Sequence, residues 1–293
     1  MIHLKIRAIA ALFSLLISTQ LHAEVEIPDS HKIAGFALGC QAYTFHRFSA
    51  FEAIEKTAAA GARVIEFYPG QILSREEPNL KVHHSSGEEV VEKLRMKLRK
   101  HDLIAVNYGV VGLPNDEAEC RAVFTFAKKL GMRGVTSEAK PEALDLIEKL
   151  CKEFDLTMSI HNHPRRPNDP GYRYWDPEYI LSLVKDRDRR LGACADTGHF
   201  ARSGIKPVDA LKILEGRVLS SHLKDLHEFG PGGHDAPYGT GTSDIPGILE
   251  ELKRQNFKGH IAIEYEYNLE HSVPDVAQCV GFVRGYDAGK RAR

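Results

Sequence analysis

Leu191-Gly192-Ala193-Cys194-Ala195-Asp196-Thr197-Gly198-His199 is the stretch on which the fold turns. Five small or apolar residues make a run fit for a buried strand, and the run stops on a carboxylate. A carboxylate leaving a buried strand must be solvated, paired or bound to a cation. The ordinary alternative is a helix N-cap, with Gly198 easing the turn. The same construction recurs on both sides. Residues 156–160 run into His161-Asn162-His163, residues 217–221 into His222-Leu223-Lys224-Asp225, and residues 259–263 into Glu264-Tyr265-Glu266. Imidazoles and carboxylates at the same end of successive parallel strands converge on one point, as at the mouth of a barrel. That mixture of donors suits a divalent cation.

Working outward, four more strand candidates precede these, at 36–43, 63–68, 103–108 and 134–138. Helical periodicity separates them, at 51–60, 88–100, 118–130, 141–154, 176–184, 207–214 and 245–255, with a last helix over 273–284. Eight strands, each followed by a helix, predict an α/β chain folded as a single (β/α)8 TIM barrel. An open doubly wound sheet would place a glycine-rich phosphate loop after the first strand. Here that position reads Tyr43-Thr44-Phe45-His46-Arg47. Two long loops, 164–175 and 227–244, leave strand C-termini and are candidate lids.

Residues 1–23 read as a signal peptide. Lys5 and Arg7 precede a short apolar core over 8–18, and Leu21-His22-Ala23 offers a cleavage position. The core is too short for a comfortable span, which needs about 20 residues; an uncleaved anchor is the rival. The barrel then occupies 24–293, and the expected location is exported, in the periplasm, with no membrane association after cleavage near Ala23. A net charge of -1 across 293 residues gives no basic excess for nucleic acid. The five cysteines include no Cys-x-x-Cys pair and one must be left over, so no disulfide framework is expected. Cys40 and Cys194 read as small core residues.

Residue by residue, the strand ends suggest roles. Asp196 is a metal or catalytic carboxylate. His222 can bind metal through one ring nitrogen if the other is hydrogen-bonded. Lys224, two residues on, can polarise a carbonyl or stabilise an enediolate; a surface pair with Asp225 is the plain alternative. Glu264 and Glu266 share a face, as do His161 and His163. One of the two histidines can take metal while the other moves a proton or holds a hydroxyl. Glu138 ends the fourth strand as ligand or base. Tyr43, Glu66, Asn107 and His199 are the candidates for holding a substrate's hydroxyls.

Ala195-Asp196-Thr197-Gly198-His199, His222-Leu223-Lys224-Asp225, Gly239-Thr240-Gly241-Thr242-Ser243-Asp244-Ile245-Pro246 and Ile263-Glu264-Tyr265-Glu266 together resemble the xylose isomerase-like barrels, the sugar phosphate isomerase/epimerase superfamily. The resemblance covers residues 35 to 285. It implies one divalent ion, manganese first, with magnesium, cobalt or zinc as alternatives, held by Asp196, His222 and Glu264. The family's fourth ligand is commonly a glutamate on the fifth strand. This chain instead resembles a subgroup with His-x-His there, so His161 is the first choice and Glu138 the second. The usual relay through two glutamate ligands is then not available in that form.

The expected function is a sugar or keto-sugar isomerase or epimerase. Glu264 or His163 would abstract a proton beside a metal-bound carbonyl. Loss of a β-hydroxyl or β-glycosyl group would make the same site a lyase or dehydratase. A phosphodiesterase of the endonuclease IV kind would need more metals and a basic face. A sugar-binding barrel that has lost its chemistry is the non-enzymatic alternative. The expected partner is a small sugar, with a homodimer as the assembly to test for.

Overall fold

Each of the eight apolar runs forms a strand: β1 (Ala37–Gln41), β2 (Val64–Phe67), β3 (Ile104–Tyr108), β4 (Gly134–Ser137), β5 (Thr157–His161), β6 (Leu191–Asp196), β7 (Val218–Leu223) and, after a short hairpin, β10 (His260–Ile263). All pair in parallel, and the first closes against the last in the order β1-β10-β7-β6-β5-β4-β3-β2. The protein is a (β/α)8 barrel, as the alternation predicts. The computed structural model describes residues 26–291. The signal-peptide reading of residues 1–23 lies outside the described residues. No helix among them is long and apolar enough to cross a membrane.

The helices are α1 (Ala50–Ala59), α2 (Glu88–Lys100), α3 (Glu117–Lys129), α4 (Leu144–Phe154), α5 (Pro177–Val184), α6 (Thr197–Arg202), α7 (Pro207–Ile213), α8 (Ile245–Arg254) and α9 (Val273–Arg291). Local chemistry sets their starts. Ser49 and Glu52 form a reciprocal capping box on α1, and Asp176 with Pro177 opens α5. The outer faces of the strands, through residues such as Leu38, Ile65 and Phe67, share one apolar core with the helices. All five cysteines are buried and free.

The barrel interior is different. A separate cluster of Ile27, Ala37, Val64 and Val106 lies at the strand N-termini, and above it the lumen is polar. Gly39 marks how closely the strands approach: a Cβ there would lie 1.8 Å from the Val64 carbonyl oxygen. The loop expected over 227–244 contains structure of its own. β8 (Asp225–Leu226) and β9 (Asp235–Ala236) pair antiparallel. The Asp225 carboxylate accepts from the backbone N–H of Gly239, Gly241 and Ser243, each at 3.0 Å. Asp225 is therefore a buried anchor, and the expectation of a Lys224–Asp225 surface pair is overturned, since both side chains are buried.

Candidate metal centre and active site

Period two sends alternate strand residues into the barrel. On β5 these include Ser159 and His161, on β6 Cys194 and Asp196, on β7 Ser220 and His222, and along β10 His260 and Ala262, with Glu264 next. Registers align the ends: Asp196 lies opposite His222, and His161 opposite Cys194. Ligand atoms of His161, Asp196, His199 and Glu264 accordingly lie within 4.8 Å of one another. His222 Nδ1 faces the same space, 3.0 Å from His161 Nε2 and 3.3 Å from Glu264 Oε2. Donors sharing one ion at bonds of about 2.1 Å sit roughly 3–4 Å apart, so the spacing fits a cation.

Hydrogen-bond partners separate the imidazoles. His222 Nε2 lies 3.1 Å from Glu66 Oε2, an acceptor, so Nε2 carries a hydrogen. Burial opposes a charge on this ring, but Cys194, Glu264 and Glu66 hold it well above the usual imidazole range, so without an ion Nδ1 is protonated too and a cation there would replace that proton. His199 is the reverse. Arg202 Nη1 lies 3.3 Å from its Nδ1, and a guanidinium only donates. The hydrogen of His199 is then on Nε2, which points at Asp196 Oδ2 at 3.6 Å. His199 is thus arranged to donate from Nε2, whereas His222 turns Nδ1 toward the shared space.

Asp196 divides its carboxylate. Oδ1 caps α6 by accepting from His199 N at 2.7 Å, while Oδ2 is buried without a hydrogen bond of good geometry. The helix-cap role occupies one oxygen and leaves the other open to a ligand. An unbonded buried carboxylate oxygen costs free energy unless a cation answers it. Lys224 Nζ supplies part of that charge. It is buried, 3.2 Å from Asp196 Oδ2, 2.9 Å from Glu264 Oε2 and 2.6 Å from Glu266 Oε2. Burial opposes its charge, but Asp196, Glu264 and Glu266 keep it protonated well above the usual lysine range. Its donors face three carboxylates rather than open space.

The buried groups titrate accordingly. Burial raises the Asp196 carboxyl against the pull of Lys224. Burial also pushes Glu264 upward, yet Lys224 and His222 hold it well below the carboxylate range. His161 and His199 stay neutral, their values driven well down, chiefly by burial. Two carboxylates, the neutral His161 and a His222 whose Nδ1 proton an ion would displace are a donor set that fits a manganese- or zinc-like divalent ion.

Glu138, the alternative fourth ligand, forms a second group with His161 and His163, whose ligand atoms also lie within 4.8 Å of one another. Its Oε1 accepts from His163 Nδ1 at 2.6 Å and from the Tyr172 hydroxyl. Burial raises Glu138, but these two donors lower it overall. Nε2 of His163 is left as a lone pair, and the ring is half-buried at the edge of a cavity of about 360 Å³. Tyr43, Tyr68, His161, His199, Glu264 and Glu266 also line that cavity. Glu66 and Asn107 do not, which corrects their assignment to substrate. Both are buried in the lumen, where Asn107 Nδ2 donates to Glu66 Oε1 at 2.9 Å. A register shift between β2 and β3 places Asn107 beside Glu66.

Tyr172, Arg202 and His260 escaped the sequence reading. His260 had a signal: it precedes Glu264 at even spacing along one strand. Tyr172 and Arg202 act from a loop and a short helix, where no period marks them.

A closed parallel barrel with imidazoles and carboxylates gathered at its C-terminal mouth defines a TIM-barrel scaffold built around a polar catalytic-type centre. The chain belongs to the xylose isomerase-like TIM barrel family, whose model matches residues 54–281. It is 27% identical over 164 residues to the rhizopine catabolism protein MocC of Rhizobium meliloti, covering 50% of this chain and 48% of that one. It is 25% identical over 150 residues to inosose dehydratase of Clostridium tetani, covering 45% and 48%. The chain spans about half the length of these curated relatives. The crystal structure of an uncharacterized protein from Parabacteroides distasonis is 31% identical, with a TM-score of 0.67 over 85% of this chain and 98% of that chain.

Proposed function

We propose that the protein is an exported, metal-dependent enzyme acting on a sugar or keto-sugar by removing a proton beside a carbonyl. The observation that carries this reading is a proton-transfer dyad set beside a cluster of ligand-type groups at one cavity. His161, Asp196, His222 and Glu264 converge on one point, and the Glu138–His163 dyad adjoins them, with the His163 ring 4.6 Å from that of His161.

His161, Asp196, His222 and Glu264 would hold the ion. Manganese is the first choice, and magnesium, cobalt or zinc are the alternatives. When bound, such an ion polarises a carbonyl oxygen and lowers the pKa of the neighbouring carbon-bound proton. His163 Nε2 takes that proton, because Glu138 holds the opposite ring nitrogen and stabilises the imidazolium that forms. His199 donates from Nε2 to a substrate oxygen. Lys224 fixes the Asp196 and Glu264 carboxylates. Tyr43 lines the cavity from β1's side and meets Tyr68 edge-on at 5.2 Å.

Return of the proton to another position gives isomerisation or epimerisation. Elimination is the second reading. It is favoured by the lack of a second glutamate on β5, which leaves one proton-transfer group instead of two on opposite faces. The similarity to an inosose dehydratase supports the same reading. Residues 1–23 support export to the periplasm.

The test is solvent deuterium uptake into keto-sugars by purified protein. Uptake that stops on chelation and returns with Mn²⁺ supports the reading. Full turnover in excess chelator overturns it. Release of water or of an aglycone distinguishes elimination from isomerisation.

A further inference from the structure

Below the site, one carboxylate ties three strands to its own. Glu66 on β2 is completely buried. Its Oε2 accepts from His222 Nε2 on β7 at 3.1 Å and from His260 Nε2 on β10 at 3.0 Å. Its Oε1 accepts from Asn107 Nδ2 on β3 at 2.9 Å. His222 and His260 are buried as well. A carboxylate with three donors and no water access is an acceptor on every side. It therefore keeps a hydrogen on Nε2 of His222, so that Nδ1 is the nitrogen a cation can take.

We infer that Glu66, itself held by His260, is a positioning residue that makes His222 present its Nδ1 lone pair to a cation at the barrel mouth. The inference rests on reading that mouth as a metal centre. An imidazole held through its far N–H by a carboxylate keeps one tautomer and one ring orientation, and is a more basic ligand for it. The geometry here has both halves. Nε2 is bonded from below, and Nδ1 stands 3.0 Å from His161 Nε2 and 3.3 Å from Glu264 Oε2 above. His260 adds a second donor to the same oxygen, which prevents the carboxylate from turning away from His222. No part of this arrangement touches the cavity where substrate would lie.

The rival explanation is that the lumen is merely satisfying its own polar groups. Thr136 separates the two. Its hydroxyl belongs to the same network, 2.6 Å from Asn107 Nδ2 and 3.0 Å from Ser159 Oγ, but it has no contact with His222.

The experiment is Co²⁺ binding by calorimetry on the chelator-treated full chain, with the cobalt d–d absorption recorded in parallel. The wild type is expected to bind one ion. Glu66→Gln is expected to bind about 10- to 100-fold more weakly, with an altered spectrum. Thr136→Val is expected to keep wild-type affinity, and His260→Gln to lose less than Glu66→Gln. Glu66→Gln binding as tightly as a wild type that binds cobalt overturns the inference alone. So does Thr136→Val weakened as much as Glu66→Gln. A wild type that takes up no ion overturns both this inference and the metal reading beneath it. If Glu66→Gln does not fold, His260→Gln decides, and wild-type affinity there rejects the positioning role.

Discussion

His163 differs from the buried His161 and His199 in being partly exposed, with a carboxylate on the nitrogen that faces away, which is what a proton-transfer group requires. Under the proposed mechanism, His163→Gln lowers kcat roughly 100- to 10,000-fold while metal content stays at the wild-type level. Steady-state kinetics beside elemental analysis checks this, and loss of metal in step with activity would reassign His163 as a ligand. Tyr172→Phe removes only a donor to Glu138, so its loss of kcat is expected to be smaller and its metal content normal. Asp196, His222 and Glu264 were legible because each follows an apolar run directly. Their convergence needs only that the strands be parallel. The distinction between His199 and His222 was not legible. It depends on Arg202, three residues on within a helix too short to show a period, and on Glu66, 156 residues away, whose chemistry sets which ring nitrogen faces a donor and which an acceptor.

The strands and most helices followed from period and from punctuating glycine and proline, to within a residue or two. What escaped was short or irregular. α6 has six residues, too few for a helical period to show, and its N-cap Asp196 was read first as a chemical group. The β8–β9 hairpin is hidden in a polar loop. The register shift at Ile65/Glu66 against β3 has no sequence signature, and it is why Asn107 faces the lumen beside Glu66. Tight strand packing yields its own prediction. Gly39→Ala sets a methyl against backbone, not against a flexible side chain. Overpacking of a core costs about 1–3 kcal/mol, and this site belongs at the upper end because the Val64 carbonyl cannot swing aside. Denaturant unfolding measures it, and a change below about 0.5 kcal/mol would show that the strands part easily.

Across the whole molecule, the lumen couples pH to stability. Burial pushes the Glu66 carboxyl up, but His222 and His260 outweigh it and hold it at about 2, against an ordinary 4.5. A depressed carboxyl stabilises the folded state above its unfolded pKa, and the contribution disappears as pH falls through the folded value. The shift corresponds to about 3 kcal/mol, counted once on the carboxylate side of the pairs. Glu66→Gln is therefore expected to cost stability at neutral pH. Its deficit relative to wild type should shrink between about pH 4.5 and pH 2. Chemical denaturation of metal-free protein across that range checks the sign. A deficit that stays constant with pH would mean that the carboxylate's charge does not contribute. In the metal-bound state, an ion at 100 times its Kd adds about 2.7 kcal/mol, seen as a higher unfolding midpoint after Mn²⁺ is returned to chelated protein.

The closure of β1 on β10 also bears on how the chain is made. Glu66 emerges early from the ribosome, while His222 and His260 arrive near the end. During synthesis this carboxylate lacks two of its eventual donors, and the free edge of β1 stays open until the last strand arrives. A nascent or C-terminally clipped chain therefore lacks both the closure and two of the groups that answer its buried charge.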